Sequence, residues 1–293
     1  MSAGSTAPSG GLRLSRRQAL ALAGAGATGL IIGGTQRAQA HGTLAWHNEI
    51  WSQPTHYYNG SVNNGRTPDS FQYNAGFYNQ LESWFAYYYS NTPGSWLNPS
   101  HLWLSGTHVD KSGSCAGMSG SCHSYARAID FNYVYMTISG SLQQAANCDY
   151  LWWNGQPSAT KTVHRKRYWG FVAGLNYHFN AVLHYWFTPA YFSSAADYSH
   201  QTHVHADNGV SGSGLSTFNG TTNRSVQTFT IQSCLTYIWN IPVGIDGYYG
   251  NQTSTAAGTA LSRIGRSGSL TNADNWRAFL TESVRAGSGG YTP

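Results

Sequence analysis

The spacing of apolar side chains marks out a few elements along the chain. Phe77, Leu81, Trp84 and Phe85 fall at helical spacing and stop before Pro93, which predicts a helix. Leu102-Trp103-Leu104 predicts a short strand, and the run Ala128–Met136 a longer one. The clearest stripe begins near Arg165. There Trp169, Val172, Leu175, Phe179, Val182 and Trp186 recur every three or four residues, predicting a helix that Pro189 stops. His178 and His184 lie within it and read as structural or surface histidines, and Arg165-Lys166-Arg167 reads as its solvated first turn. Residues 41–75 show no such period, and with turn signals at Asn59-Gly60 and Asn64-Gly65 they read as loop. A Gly/Ser loop spans Ser105–Ser121. A polar stretch from Gly209 to Asn223 reads as a linker, with a smaller unit after it and no tandem repeat anywhere.

Composition refines this picture. At 293 residues the chain suits one or two domains. Only 9% of residues are charged, but 11 Trp, 20 Tyr and 11 Phe argue for a packed chain with polar rather than ionic surfaces. The formal charge of +5 comes mostly from Arg13, Arg16, Arg17 and Arg37. Without residues 1–40, 12 basic side chains face 11 acidic ones. Phosphate backbones require clustered Lys and Arg, so nucleic acid is excluded as a partner.

The arginines at the start have another use. Ser15-Arg16-Arg17-Gln18-Ala19-Leu20 is a twin-arginine pattern, an uncharged Ala/Gly/Leu stretch follows to Gln36, and Ala38-Gln39-Ala40 supplies an A-x-A cleavage site. Residues 1–40 therefore predict a signal peptide for twin-arginine export, and the mature chain is expected outside the cell. No later segment approaches ~20 continuous apolar residues, so no stable membrane insertion is expected after cleavage. Cleavage would expose His41, whose amine and ring could chelate copper as in lytic polysaccharide monooxygenases; a copper oxidase is thus a remote alternative. Cys115, Cys122, Cys148 and Cys234 are an even number in an exported chain and are disulfide candidates, with connectivity open. Cys115–Cys122 would close a short loop, and Cys148–Cys234 would then tie two regions together. No C-x-x-C spacing supports a thiolate metal site.

Two segments concentrate the 12 histidines' chemistry: Ser121-Cys122-His123-Ser124-Tyr125-Ala126-Arg127-Ala128-Ile129-Asp130 and His200-Gln201-Thr202-His203-Val204-His205. In a strand, residues two apart share a face, so His203 and His205 can point into one site. A core-facing carboxylate at Asp130 needs a cation or donor, and His123 lies in the loop before it. Two imidazoles and a carboxylate with an open fourth position are the donor set of a catalytic zinc site.

The two segments together resemble the LAS metallopeptidases, the group containing lysostaphin, the D-alanyl-D-alanine metallopeptidases and the hedgehog signalling domain. The matching pattern is S-x-H-x-x-(G/A)-x-A-x-D followed by H-x-H, and the resemblance covers about residues 77–207. It implies an α+β domain with a small antiparallel sheet and flanking helices. It also implies Zn2+ held by His123, Asp130 and His205, with His203 as catalytic base or transition-state stabiliser. His200 matches an additional active-site histidine of some murein endopeptidases. Ala126 replaces the usual Gly, and Ser105-Gly106-Thr107-His108 stands where many relatives have S-G-x-R. His108 thereby becomes the candidate oxyanion donor in place of arginine.

Residues 224–286 are similar to the small three-helix peptidoglycan-binding domain: Ile231-Gln232-Ser233-Cys234-Leu235, then Ile245-Asp246-Gly247-Tyr248-Tyr249-Gly250-Asn251-Gln252-Thr253, then a last helix led by Trp276. Asp246-Gly247 predicts a tight turn and Thr253 an N-cap. The other reading of this segment is a helical cap on the domain before it. The expected organisation is a signal peptide (1–40), a zinc peptidase-like domain (41–208), a linker (209–223) and a wall-binding domain (224–286). The expected function is hydrolysis of an amide bond in peptidoglycan, and the alternative is a non-catalytic, zinc-containing wall-binding protein. Trp152-Trp153 and Tyr87-Tyr88-Tyr89 are candidates for stacking on glycan, against ordinary packing.

Overall fold

Hairpin chemistry and aromatic burial build the sheet that carries the histidines. A computed structural model describes residues 44–107, 122–195, 199–209 and 214–293. Residues 1–40, expected to be a signal peptide, and His41, His108 and Cys115 lie outside the described residues. The class is α+β, as expected. In chain order the elements are β1 (Leu44–His47), β2 (Glu49–Ile50), β3 (Gln53–Tyr57), β4 (Phe71–Asn74), α1 (Ala75–Asn91), β5 (Trp96–Gly106), β6 (Ala128–Ile138) and β7 (Ser141–Asn147). Then follow α2 (Tyr150–Asn154), α3 (Ser158–His178), β8 (Ala181–Leu183), β9 (Val204–Asp207), α4 (Val226–Tyr237), α5 (Asn251–Arg263) and α6 (Ala273–Gly289).

β1 and β4 form a separate two-stranded sheet. The other sheet runs β2-β3-β5-β6-β9-β8, with β7 also on β6. It is antiparallel except between β3 and β5, so it is mixed rather than wholly antiparallel. The long strand β6 is its axis: β5 covers one edge, while β9 and β7 share the other.

Residues 41–75, read as loop, contain four strands. Trp51 and Ser52 join β2 to β3 in the left-handed region, at φ 51° and 60°. A two-residue turn of that hand normally advertises itself as Asn-Gly, and Trp-Ser hides it. β3 is also disguised, because its buried positions include Gln53 and Thr55. Gln53 Oε1 accepts from both Ser100 N and Ser100 Oγ, so an amide sits where an apolar residue would announce a strand.

Asn74 caps α1 by accepting from Gly76 N and Phe77 N, and the helix buries Phe77, Leu81, Trp84 and Phe85 as their spacing predicts, together with Tyr88. The stripe starting near Arg165 behaves differently. α3 begins earlier, at Ser158, and stops at His178. Phe179 is already extended, Val182 lies on β8, and Asn180 N donates to Asn208 Oδ1 at 2.8 Å. Apolar residues three or four apart suit a helix, but Phe179 and Val182 are buried equally well around a strand edge, so periodicity alone overran the boundary.

The described residues form one compact unit, and one hydrophobic core holds Trp84 and Phe131 of the sheet region together with Trp239 and Trp276 of the last helices. The segment read as a linker is packed where it is described. Ser216 and Phe218 are buried, and Trp276 Nε1 donates to Ser216 Oγ at 2.9 Å. α6 lies against α3 at a glycine contact: a Cβ on Gly287 would stand 2.7 Å from Lys166 O and 2.8 Å from Gly170 Cα.

Three helices fill the C-terminal segment, and Gln232 organises their joints. Its Oε1 accepts from Asp246 N and Gly247 N, and its Nε2 donates to Asp246 Oδ1, Tyr248 O and Thr253 Oγ1. Thr253 is therefore not the N-cap; Gly250 occupies that place and Thr253 is drawn inward by Gln232. Cys148 and Cys234 are separate buried thiols rather than a disulfide, and burial pushes Cys234 up to about 12. Among the described residues no helix is long and apolar enough to cross a membrane.

Candidate metal centre

Strand register assembles the site. In β6, Ile129 and Phe131 face the helices, where Phe131 packs on Trp84 and Phe171. Asp130, between them, points to the opposite face. The register sets it opposite His205 on β9 and opposite Gly106 on β5. Gly106 leaves the space the carboxylate needs, because a Cβ there would overlap Asp130 Oδ2 and come within 3.2 Å of His123 Cε1.

His123 arrives from a short 3-10 turn, Cys122–Tyr125. Ala126 N donates to His123 O and Arg127 N to Cys122 O, closing the turn with Ala126 at φ 52°. This is the position where the resembling pattern usually has glycine. An alanine in the left-handed region costs about 1–2 kcal/mol that glycine would not. The conformation persists because Ala126 is buried and its carbonyl accepts from Asn74 N.

One ring nitrogen of His123, one of His205 and an Asp130 oxygen all lie within 4.8 Å of one another. His123 Nε2 is 3.2 Å from Asp130 Oδ2, and His205 Nδ1 is 2.9 Å from Asp130 Oδ1. The opposite nitrogen of each ring is anchored. His123 Nδ1 meets the Thr107 carbonyl, and His205 Nε2 meets Asp207 Oδ2 at 2.8 Å. Ligating histidines characteristically donate their other N–H to a carbonyl or a carboxylate, which fixes tautomer and orientation. The residues present therefore fit a metal ion, with His123 offering Nε2 and His205 offering Nδ1.

The remaining candidates divide clearly. His203 Nε2 is 3.8 Å from Asp130 Oδ1, beside the cluster rather than within it. His200, on a short 3-10 turn at Ser199–Gln201, has its ring 5.1 Å from that of His203 and 6.0 Å from that of His205. Side-chain exposures of 9% to 14% leave the group enclosed but reachable from solvent.

Electrostatics follow from this packing. Burial alone would raise the Asp130 carboxyl, but the imidazoles of His123 and His205 overcome it and hold it well below the usual range. Burial opposes charge on His205 too, yet hydrogen bonds to Asp130 and Asp207 push the ring up to about 10. A metal ion at Nδ1 must therefore displace a proton. Asp207 is likewise lowered against its burial, by His205, by the Gly209 N–H at 2.7 Å and by the Cys122 thiol.

Asp207 and the Thr107 carbonyl escaped the sequence reading. The first had a signal: the alternation that paired His203 with His205 continues to Asp207 on the same face. The second had none, since a backbone oxygen has no residue code. No family model, curated protein or solved structure matches the chain.

Proposed function

We propose that the protein is an exported zinc-dependent peptidase that hydrolyses an amide bond in the stem peptide or cross-bridge of peptidoglycan. The carrying observation is the division of labour among the histidines: two anchored rings and Asp130 within 4.8 Å, with a further imidazole at the rim. A two-imidazole, one-carboxylate donor set suits zinc and leaves positions open for chemistry. When bound, zinc supplies a Lewis acid that polarises a scissile carbonyl and acidifies water. His203 moves the proton: from its place beside Asp130 it takes one from the attacking water and returns it to the leaving amine. His200 flanks His203 and presses edge-on against Phe187, which limits where the second ring can go. Asp207 keeps His205 oriented. The twin-arginine pattern and the resemblance of residues 224–286 to a wall-binding module support peptidoglycan as the substrate.

Digestion of purified peptidoglycan by the mature protein, read by mass spectrometry of the fragments, tests this reading. Amide-cleaved fragments are expected without chelator and none with it. His205→Ala is expected to lose zinc, measured by elemental analysis. His203→Ala is expected to keep zinc and lose roughly 10²–10⁴-fold in rate. Cleavage indifferent to chelator would refute the mechanism, and bound zinc without any cleavage would make the protein a non-catalytic wall-binding protein.

A further inference from the structure

A shallow groove of about 330 Å³ lies beside the metal centre and is lined in part by Gly106 and Thr107. These two residues are also the wall of the centre, Gly106 against Asp130 and Thr107 through its carbonyl on His123. Trp46 and Tyr57, which are 66% and 47% exposed, also line the groove. Two open aromatic rings lining one groove beside a polar site give a ligand an apolar surface to cover. Trp46 and Gln72 are cross-strand partners on β1 and β4, and Ser70, Ser105 and Thr107 complete the polar lining. None of the described residues lining the groove is charged.

That chemistry discriminates between the two halves of the proposed substrate. A stem peptide presents carboxylates that call for a cation. A sugar ring presents an apolar C–H face and neutral hydroxyl and amide edges, which match exposed aromatic rings bordered by Ser, Thr and Gln. We propose that this groove binds a saccharide ring of the glycan strand against Trp46 and Tyr57, leaving the attached peptide at the metal centre. The inference rests on the peptidoglycan reading for the identity of the glycan. Of the stacking candidates suggested by sequence alone, Trp153 and Tyr88 are core residues, and Trp152, 43% exposed, does not line this groove.

The test is calorimetric titration of the zinc-loaded mature protein with a soluble N-acetylglucosamine oligomer. Saturable binding is expected, weakened about tenfold in Trp46→Ala and also weakened in Gln72→Ala. An unchanged circular dichroism spectrum and zinc content in both variants would show that the loss is local. No binding by the wild type, equal binding by Trp46→Ala, or displacement of the oligomer by a glycan-free stem peptide would each overturn the proposal. Because the titration involves no turnover, saccharide binding without peptidoglycan cleavage would sink the peptidase reading alone. Cleavage without saccharide binding would sink the groove alone.

Discussion

Both ring nitrogens of His205 are committed, Nδ1 to the cluster and Nε2 to Asp207, so the orientation of this ligand depends on a residue that would never touch the metal. Replacing Asp207 with Asn keeps an acceptor in place but removes the charge that makes His205 a stronger donor. Asp207→Asn is expected to weaken zinc binding by roughly 10–100-fold, measured by competition with a chromogenic chelator, while leaving the fold intact. Unchanged affinity would reduce Asp207 to a packing residue. At this scale the sequence was most informative. His123, Asp130 and His205 were legible because ligand chemistry needs particular side chains, whereas Thr107 contributes an atom every residue possesses.

Among the elements, the contact of α3 with α6 leaves little room for change. Gly170 and Gly287 let the two backbones meet, and a methyl group on Gly287 would stand 2.7 Å from a carbonyl oxygen that cannot swing away. Gly287→Ala should therefore push the helices apart and cost about 1–3 kcal/mol, visible as a lower Tm in calorimetry. An unchanged Tm would mean that the helices separate at no cost. Helix α1 was legible because its apolar spacing and Pro93 agree. The β2–β3 hairpin was not, because its turn uses Trp51 and Ser52 in a conformation usually signalled by glycine or asparagine. The end of α3 was misjudged for a related reason: side-chain burial at Phe179 and Val182 does not reveal whether the backbone beneath is helix or strand.

Across the whole molecule, the shared core links stability to pH through histidines remote from the metal centre. Burial lowers His178 and His184 to about 4. His184 is kept neutral by its burial, with the Trp186 N–H donating to its Nδ1, while the bond from its Nε2 to Val226 O works in the other direction. In the unfolded chain both would titrate near 6.5. Above that value neither state binds the proton and these residues leave stability unchanged. Between about 6.5 and 4 only the unfolded state takes it up, so stability falls with acidification by about 3 kcal/mol per histidine. Urea unfolding with chelator present, repeated from pH 7 to pH 4.5, should show this decline, and His184→Gln should make it shallower. A flat profile in the wild type would contradict the neutral, buried assignment.

The sequence by itself determined the helix that runs from about Phe77 to before Pro93 and the three side chains able to share an ion, because these rest on local periodicity or on functional groups that no other residue supplies. Tertiary structure decided the rest. The register that sets Asp130 between Gly106 and His205, the packing that turns an apparent linker into core, and the groove beneath Trp46 all arise from contacts between distant segments. Those contacts depend on how strands and helices fit together in space, which no short window of residues encodes.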